Sequence, residues 1–135
     1  MLFLLDTNAI SDLMEQRTVI TARLRSLPAS DRVITCPIVV GEIVQGIERL
    51  APGRRKTTLE RESAAIFLIT VCQPLPCDAA SHYSQLKIHC RRHGLALDEN
   101  DFWIAATSRA MNAVLVTRDK DFTRIPSLIV EDWSI

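Results

Sequence analysis

Glycine is scarce in this chain, with four in 135 residues, and none of them forms a GxGxxG or P-loop pattern. A phosphate cradle built on glycine backbone is thereby excluded. Aromatic residues make up only 5% of the chain, so its core must be aliphatic and rich in alanine. Neither sign of charge is in excess, because 16 Lys and Arg balance 16 Asp and Glu. A net charge of zero argues against broad coating of nucleic acid, whose affinity comes from neutralising many phosphates. Contact with nucleic acid would have to be local, or carried by bound metal ions. Long apolar runs are also missing. Met1–Leu5 lacks a basic start and stops at Asp6, and no other run approaches the roughly 20 residues of a membrane span. The four cysteines, Cys36, Cys72, Cys77 and Cys90, make no CxxC pair and no zinc-ligand spacing. They read as reduced thiols of a soluble cytoplasmic protein.

What is present suffices for a real core: 47% of the residues are hydrophobic, and mean hydropathy is +0.11. Residues 1–135 read as a single domain without internal repeats. Apolar runs alternate with helical patterns, which predicts an α/β fold on a largely parallel sheet. Leu2–Leu5 and Ala113–Thr117 have the unbroken apolar character of strands buried on both faces. Val33–Thr35 and Leu128–Val130 are shorter strand candidates. Helices are expected from Thr7 or Asn8 as cap to Met14, from Val19 to Leu27, and from Pro37 to Leu50. Three more are expected over 57–71, from a cap at Asp78 to Gly94, and from Asp98 to Asn112. Val39, Val40, Ile43, Val44, Ile47 and Leu50 form one apolar stripe on the Pro37 helix.

The acids fall at informative places. Asp6 ends the first strand, and Asp119 follows the Ala113–Thr117 strand closely. Ligands of open parallel sheets bind beyond the carboxyl ends of strands. Asp101 opens a helix that is apolar on nearly every side (Phe102, Trp103, Ile104, Ala105, Ala106, Ala110, Met111), so that helix must be buried. Each acid alone has an ordinary reading as a turn or dipole-complementing residue. Together on one rim they would repel unless a cation neutralised them, and an all-oxygen donor set suits Mg²⁺ or Mn²⁺. Glu42 lies about 120° from the centre of its helix stripe, so periodicity leaves it undecided.

His82, His89 and His93 share a helical face, and His89 with His93 could share a metal. His82 is roughly 10 Å further along the axis, and the set reads as a partly exposed polar flank. Arg54-Arg55-Lys56 and Arg91-Arg92 read as solvated surface. Arg118 and Lys120 flank Asp119 and are better placed to touch RNA. Met14, Met111 and Trp103 read as core.

Four segments resemble the motifs of one family in order. Leu4-Leu-Asp-Thr-Asn-Ala-Ile-Ser11 resembles the opening of PIN domains, and Val39-Val-Gly-Glu-Ile-Val-Gln-Gly46 their second acidic motif. Asn100-Asp-Phe-Trp-Ile-Ala-Ala106 resembles the third motif, and Val116-Thr-Arg-Asp-Lys-Asp-Phe-Thr-Arg-Ile125 the fourth. The resemblance runs nearly from end to end and is nearest to the VapC-like and FitB-like toxins of type II toxin–antitoxin systems. It implies a three-layer α/β/α PIN-like fold and a metal-dependent endoribonuclease using Mg²⁺ or Mn²⁺. Asp6, Glu42, Asp101 and Asp119 take the positions of the family's acidic quartet. Asp6 and Asp101 are expected to hold a metal, with Glu42 and Asp119 completing the cage or serving a second ion. Asn8 and Thr117 are expected to support the site. Asp121 shares the fourth motif and could supply the role given to Asp119; Asp98 could cap its helix or approach a metal from outside. The implied partners are an RNA substrate, a small cognate antitoxin and a second copy of the chain in a homodimer, alone or in larger antitoxin complexes. The alternative is a catalytically silent module of the same fold that binds antitoxin or RNA. Loss of an acid would favour that alternative, and all four are present.

Overall fold

The computed structural model describes residues 1–135. Five parallel strands form one sheet: β1 (Leu2–Leu5), β2 (Arg32–Thr35), β3 (Val71–Cys72), β4 (Val114–Val116) and β5 (Val130–Glu131). Their order is β3-β2-β1-β4-β5. β1 lies at the centre, with Leu4 opposite Ile34 on one side and Leu115 on the other. Leu4, Leu5 and Leu115 have no exposed surface, which is why these strands read as unbroken apolar runs instead of alternating.

Six helices flank the sheet: α1 (Thr7–Met14), α2 (Thr18–Arg25), α3 (Pro37–Glu48), α4 (Arg54–Ile69), α5 (Ala79–Arg92) and α6 (Glu99–Ala110). α1 to α4 sit on the connections from β1 through β2 to β3, while α5 and α6 sit on the return from β3 to β4. The two sets of crossovers run in opposite directions. Their common right-handedness therefore places the sets on opposite faces, giving three layers. α6 buries Phe102, Ile104, Ala105, Ala106, Thr107 and Ser108. Its two buried hydroxyls are satisfied by backbone carbonyls, Thr107 donating to Trp103 O at 2.7 Å and Ser108 to Ala113 O at 2.9 Å.

Several boundaries differ from the sequence reading. The helix expected over 57–71 begins earlier, at Arg54, so the basic cluster forms its first turn. It ends at Ile69, and Val71–Cys72 is an edge strand paired with Ile34 and Thr35. Two exposed residues carry no alternation by which to recognise a strand. The last strand is Val130–Glu131 instead of Leu128–Val130, and it pairs with Leu115 and Val116. α1 is capped by Asp6, not by Thr7 or Asn8. Asp78 stands at the head of α5 without a side-chain capping bond. Val19 and Val44 point to solvent instead of completing their stripes. Trp103 is only half-buried and stacks on Tyr83, the ring centroids 4.0 Å apart.

Candidate active site

The chain leaves β1 toward β2 on one side, while β4 enters on the other, so the sheet's topological switch point lies between β1 and β4. Helix N-termini and strand ends diverge there and leave a crevice. Asp6 follows β1 directly. Its carboxylate accepts the Ala9 N–H at 2.9 Å, which caps α1, and the residue is only 4% exposed. Beyond β4, the Thr117 hydroxyl oxygen accepts the Asp119 N–H at 3.0 Å. The Asp119 carboxylate in turn accepts the Asp121 N–H at 2.9 Å, opening a short 3-10 helix at Lys120–Arg124.

α6 brings the third contribution. Asp98 caps it by accepting the Asp101 N–H at 2.9 Å, which fixes the first turn and the half-buried Asp101. α3 brings Glu42, whose Oε1 accepts the Thr7 hydroxyl at 2.8 Å. Asp6, Glu42, Asp98, Asp101 and Asp119 line one cleft of about 220 Å³ together with Thr7, Asn8, Ile104 and Phe122. No Lys, Arg or His lines it.

The electrostatics follow from this crowding. Burial, the larger effect, pushes the Asp6 carboxyl up to about 6; the Thr117 hydroxyl and the Ala9 N–H restrain the rise, the Asp119 charge adds to it and Arg118 opposes it. Burial also leads for Asp101, pushed up to about 7, with the charges of Asp98, Asp119, Glu42 and Asp6 adding to it. Such a cluster favours binding a proton or a cation. The acids line the walls of the cleft, and no three of the chain's His, Cys, Asp and Glu side chains stand close enough together to grip an ion as they are oriented. The donor set, all carboxylate oxygens with no competing cationic side chain, fits a hard divalent ion.

The structure thus brings the four acids singled out by sequence into one cleft, with Asn8 and Asp98 beside them. Asp98 both caps α6 and faces the cleft. Asp121 is exposed and contributes a backbone N–H, not a wall of the cleft. Lys120 is likewise exposed and outside it, and Arg118 turns to Asp12, its Nε 3.3 Å from Oδ2. The His89 and His93 rings stack on each other with centroids 4.0 Å apart. Sequence reasoning missed Thr7 as the partner of Glu42, although it stands next to Asp6. It also missed Asp12, buried at 3% exposure. Asp12 stands at i+3 from Ala9 on the face that buries Ala9 and Leu13, which was its available signal.

A family profile described as PIN domain matches residues 3–128. The chain belongs to the PIN-domain family. It is 33% identical to a protein named Ribonuclease VapC1 of Haemophilus influenzae over 140 residues, covering 99% of each chain. It is 32% identical over 123 residues to a protein named Toxin FitB of Neisseria gonorrhoeae, covering 87% of this chain and 88% of that one. The solved structure of VapBC-1 from nontypeable Haemophilus influenzae superposes with a TM-score of 0.88 at 27% identity, over the full length of both chains.

Proposed function

We propose that this protein is a Mg²⁺- or Mn²⁺-dependent endoribonuclease and the toxin of a type II toxin–antitoxin pair. The observation that carries the reading is the cleft at the β1/β4 switch point: five carboxylates on its walls, no cationic side chain among them, and two of the acids held well above their ordinary range. Support also comes from relatives named ribonuclease and toxin, and from a structural neighbour described as a VapBC assembly.

Asp6 and Asp101 would hold the ion, with Glu42 and Asp119 completing the cage or holding a second one. When bound, such an ion lowers the pKa of a bound water and polarises a phosphate oxygen. The chain's own residues prepare that chemistry. The Ala9 N–H fixes the orientation of Asp6, and the Thr7 hydroxyl fixes Glu42. Thr117 ties the start of the Asp119 turn to the strand end. Glu42 and Asp119 orient the attacking water by accepting its hydrogen bonds. The RNA phosphodiester is hydrolysed to a 5′-phosphate and a 3′-hydroxyl. A small cognate antitoxin lays a segment over the acidic groove and blocks it, and the toxin acts as a cytoplasmic homodimer, alone or in larger antitoxin complexes.

The test is incubation of a mixed RNA pool with purified protein, with Mg²⁺ or Mn²⁺ and with excess EDTA, beside Asp6→Asn. Cleavage is expected only with both the ion and Asp6. Cleavage that survives EDTA would overturn the mechanism, and metal binding without any cleavage would leave a silent binding module.

A further inference from the structure

A second and larger concavity, about 540 Å³, opens on the other side of the β4 end. It is built around Asp12, whose carboxylate is buried inside α1 and faces two arginines. The Arg17 Nε lies 3.4 Å from Oδ1 and the Arg118 Nε 3.3 Å from Oδ2, while the two arginine side chains remain 62% and 49% exposed. Both guanidiniums thus ion-pair with Asp12 on their Nε side, without a hydrogen bond to it. Neither uses a terminal amino group in a hydrogen bond within the chain, and the Arg17 Nε–H donates to Glu15 at 2.9 Å. Glu15 is exposed and does not line the cleft. Two arginines with unused amino groups therefore line one space, and guanidinium forks match a phosphate or carboxylate.

The same space is lined by Thr18, Val19 and Ile20, the first turn of α2. Arg17 takes the cap position of that helix without a side-chain capping bond. The N–H groups of a first turn have no partner inside their own helix and favour an anion. The position relative to the acid-lined cleft decides which anion. Arg118 lines this concavity and Asp119 lines the other, and their Cα atoms are consecutive, about 3.8 Å apart. A polyanion with one phosphate in the acid cleft can therefore reach Arg118 with a neighbouring phosphate. The acid cleft has no cation of its own to guide such a strand.

Resting on the ribonuclease reading, we propose that Arg17 and Arg118, held by Asp12 beside the open N-terminus of α2, form a phosphate subsite for the RNA backbone flanking the scissile bond. Arg17 and Arg118 are the binding groups; Asp12 is a positioning residue that pairs with both, and Glu15 also holds Arg17.

The experiment compares Arg17→Gln and Arg17→Lys in the full chain, where Arg118 still pairs with the buried Asp12. Cleavage of a mixed-sequence single-stranded RNA with Mg²⁺ is followed as kcat and KM. Binding of the same RNA is measured by fluorescence anisotropy against salt in the Asp6→Asn background. Arg17→Gln is expected to raise KM about ten-fold, with the loss falling on KM and not kcat, and Arg17→Lys to recover part of it. The salt slope of log K should fall by about 0.7, the value for one single-strand phosphate contact. Unchanged KM and slope with cleavage intact would remove the subsite and leave the nuclease reading standing. A parent protein that neither cuts nor binds RNA would overturn both. Lost affinity for an acidic antitoxin peptide with RNA kinetics unchanged would assign the cleft to the antitoxin and overturn the proposal.

Discussion

The Asp6 carboxylate caps α1 through the Ala9 N–H and, while nearly buried, faces four other acids. These duties separate by substitution. Asparagine caps about as well as aspartate, whereas alanine costs about 1 kcal/mol. Asp6→Asn should therefore keep the fold and melt at least as high as the parent in EDTA at about pH 8, because it removes a charge that burial disfavours. Asp6→Ala should lose about 1 kcal/mol relative to Asp6→Asn by denaturant titration, and neither should cut RNA. Thr7 offers a finer probe. Its hydroxyl donates to Glu42 but caps nothing, so Thr7→Val should lower cleavage about ten-fold while changing stability by less than about 1.5 kcal/mol. Full activity in Thr7→Val would mean that Glu42 needs no anchor.

At the scale of elements, the site depends on how α6 begins. Asp98 accepts the Asp101 N–H and is also the foremost of the charges that raise Asp101. Asp98→Asn keeps the cap and removes the charge, so the Asp101 titration seen by carboxyl-carbon NMR should move down from about 7 with little change in melting. Asp98→Ala should move it likewise and cost about 1 kcal/mol through the lost cap. An unmoved Asp101 in both variants would show that burial alone sets its titration. The carboxyl end of β4 divides two clefts in the same way: Thr117 and Asp119 serve the acidic one, and Arg118 turns to Asp12. Loop residues one apart in sequence thus face different chemistry.

Across the whole molecule the raised carboxyls predict the pH dependence of stability. Asp6 and Asp101 have ordinary values of 3.8 and folded values near 6 and 7. The folded state therefore holds protons that the unfolded state has released, and stability falls as pH rises through that window. Without metal, the protein should melt higher at about pH 5.5 than at about pH 8. Millimolar Mg²⁺ should raise the melting temperature more at about pH 8 than at about pH 5.5, because it competes there with fewer protons. A metal-free melting temperature that climbs steadily from pH 5.5 to 8 would contradict the crowded acid cluster.

Much of this was legible along the chain. Leu2–Leu5 and Ala113–Thr117 announced buried parallel strands, because no polar residue interrupts a strand covered on both faces. Asp6 and Asp119 were placed at the strand ends, and the apolar character of α6 placed Asp101 at a buried helix head. The motif order supplied Glu42, which helical periodicity left undecided. Strand β3 was illegible, since two exposed residues form a strand only by pairing with Ile34 and Thr35. The choice of Asp119 over Asp121 as a wall of the cleft, the Thr7–Glu42 bond and the aim of Arg118 toward Asp12 were decided by the tertiary structure. Local sequence sets which residues form a strand or open a helix, because sterics and periodicity act within a few residues. Which of two neighbouring side chains meets a partner 35 or 106 positions away depends on the crossing of β1, β4, α1 and α3, which no local pattern encodes.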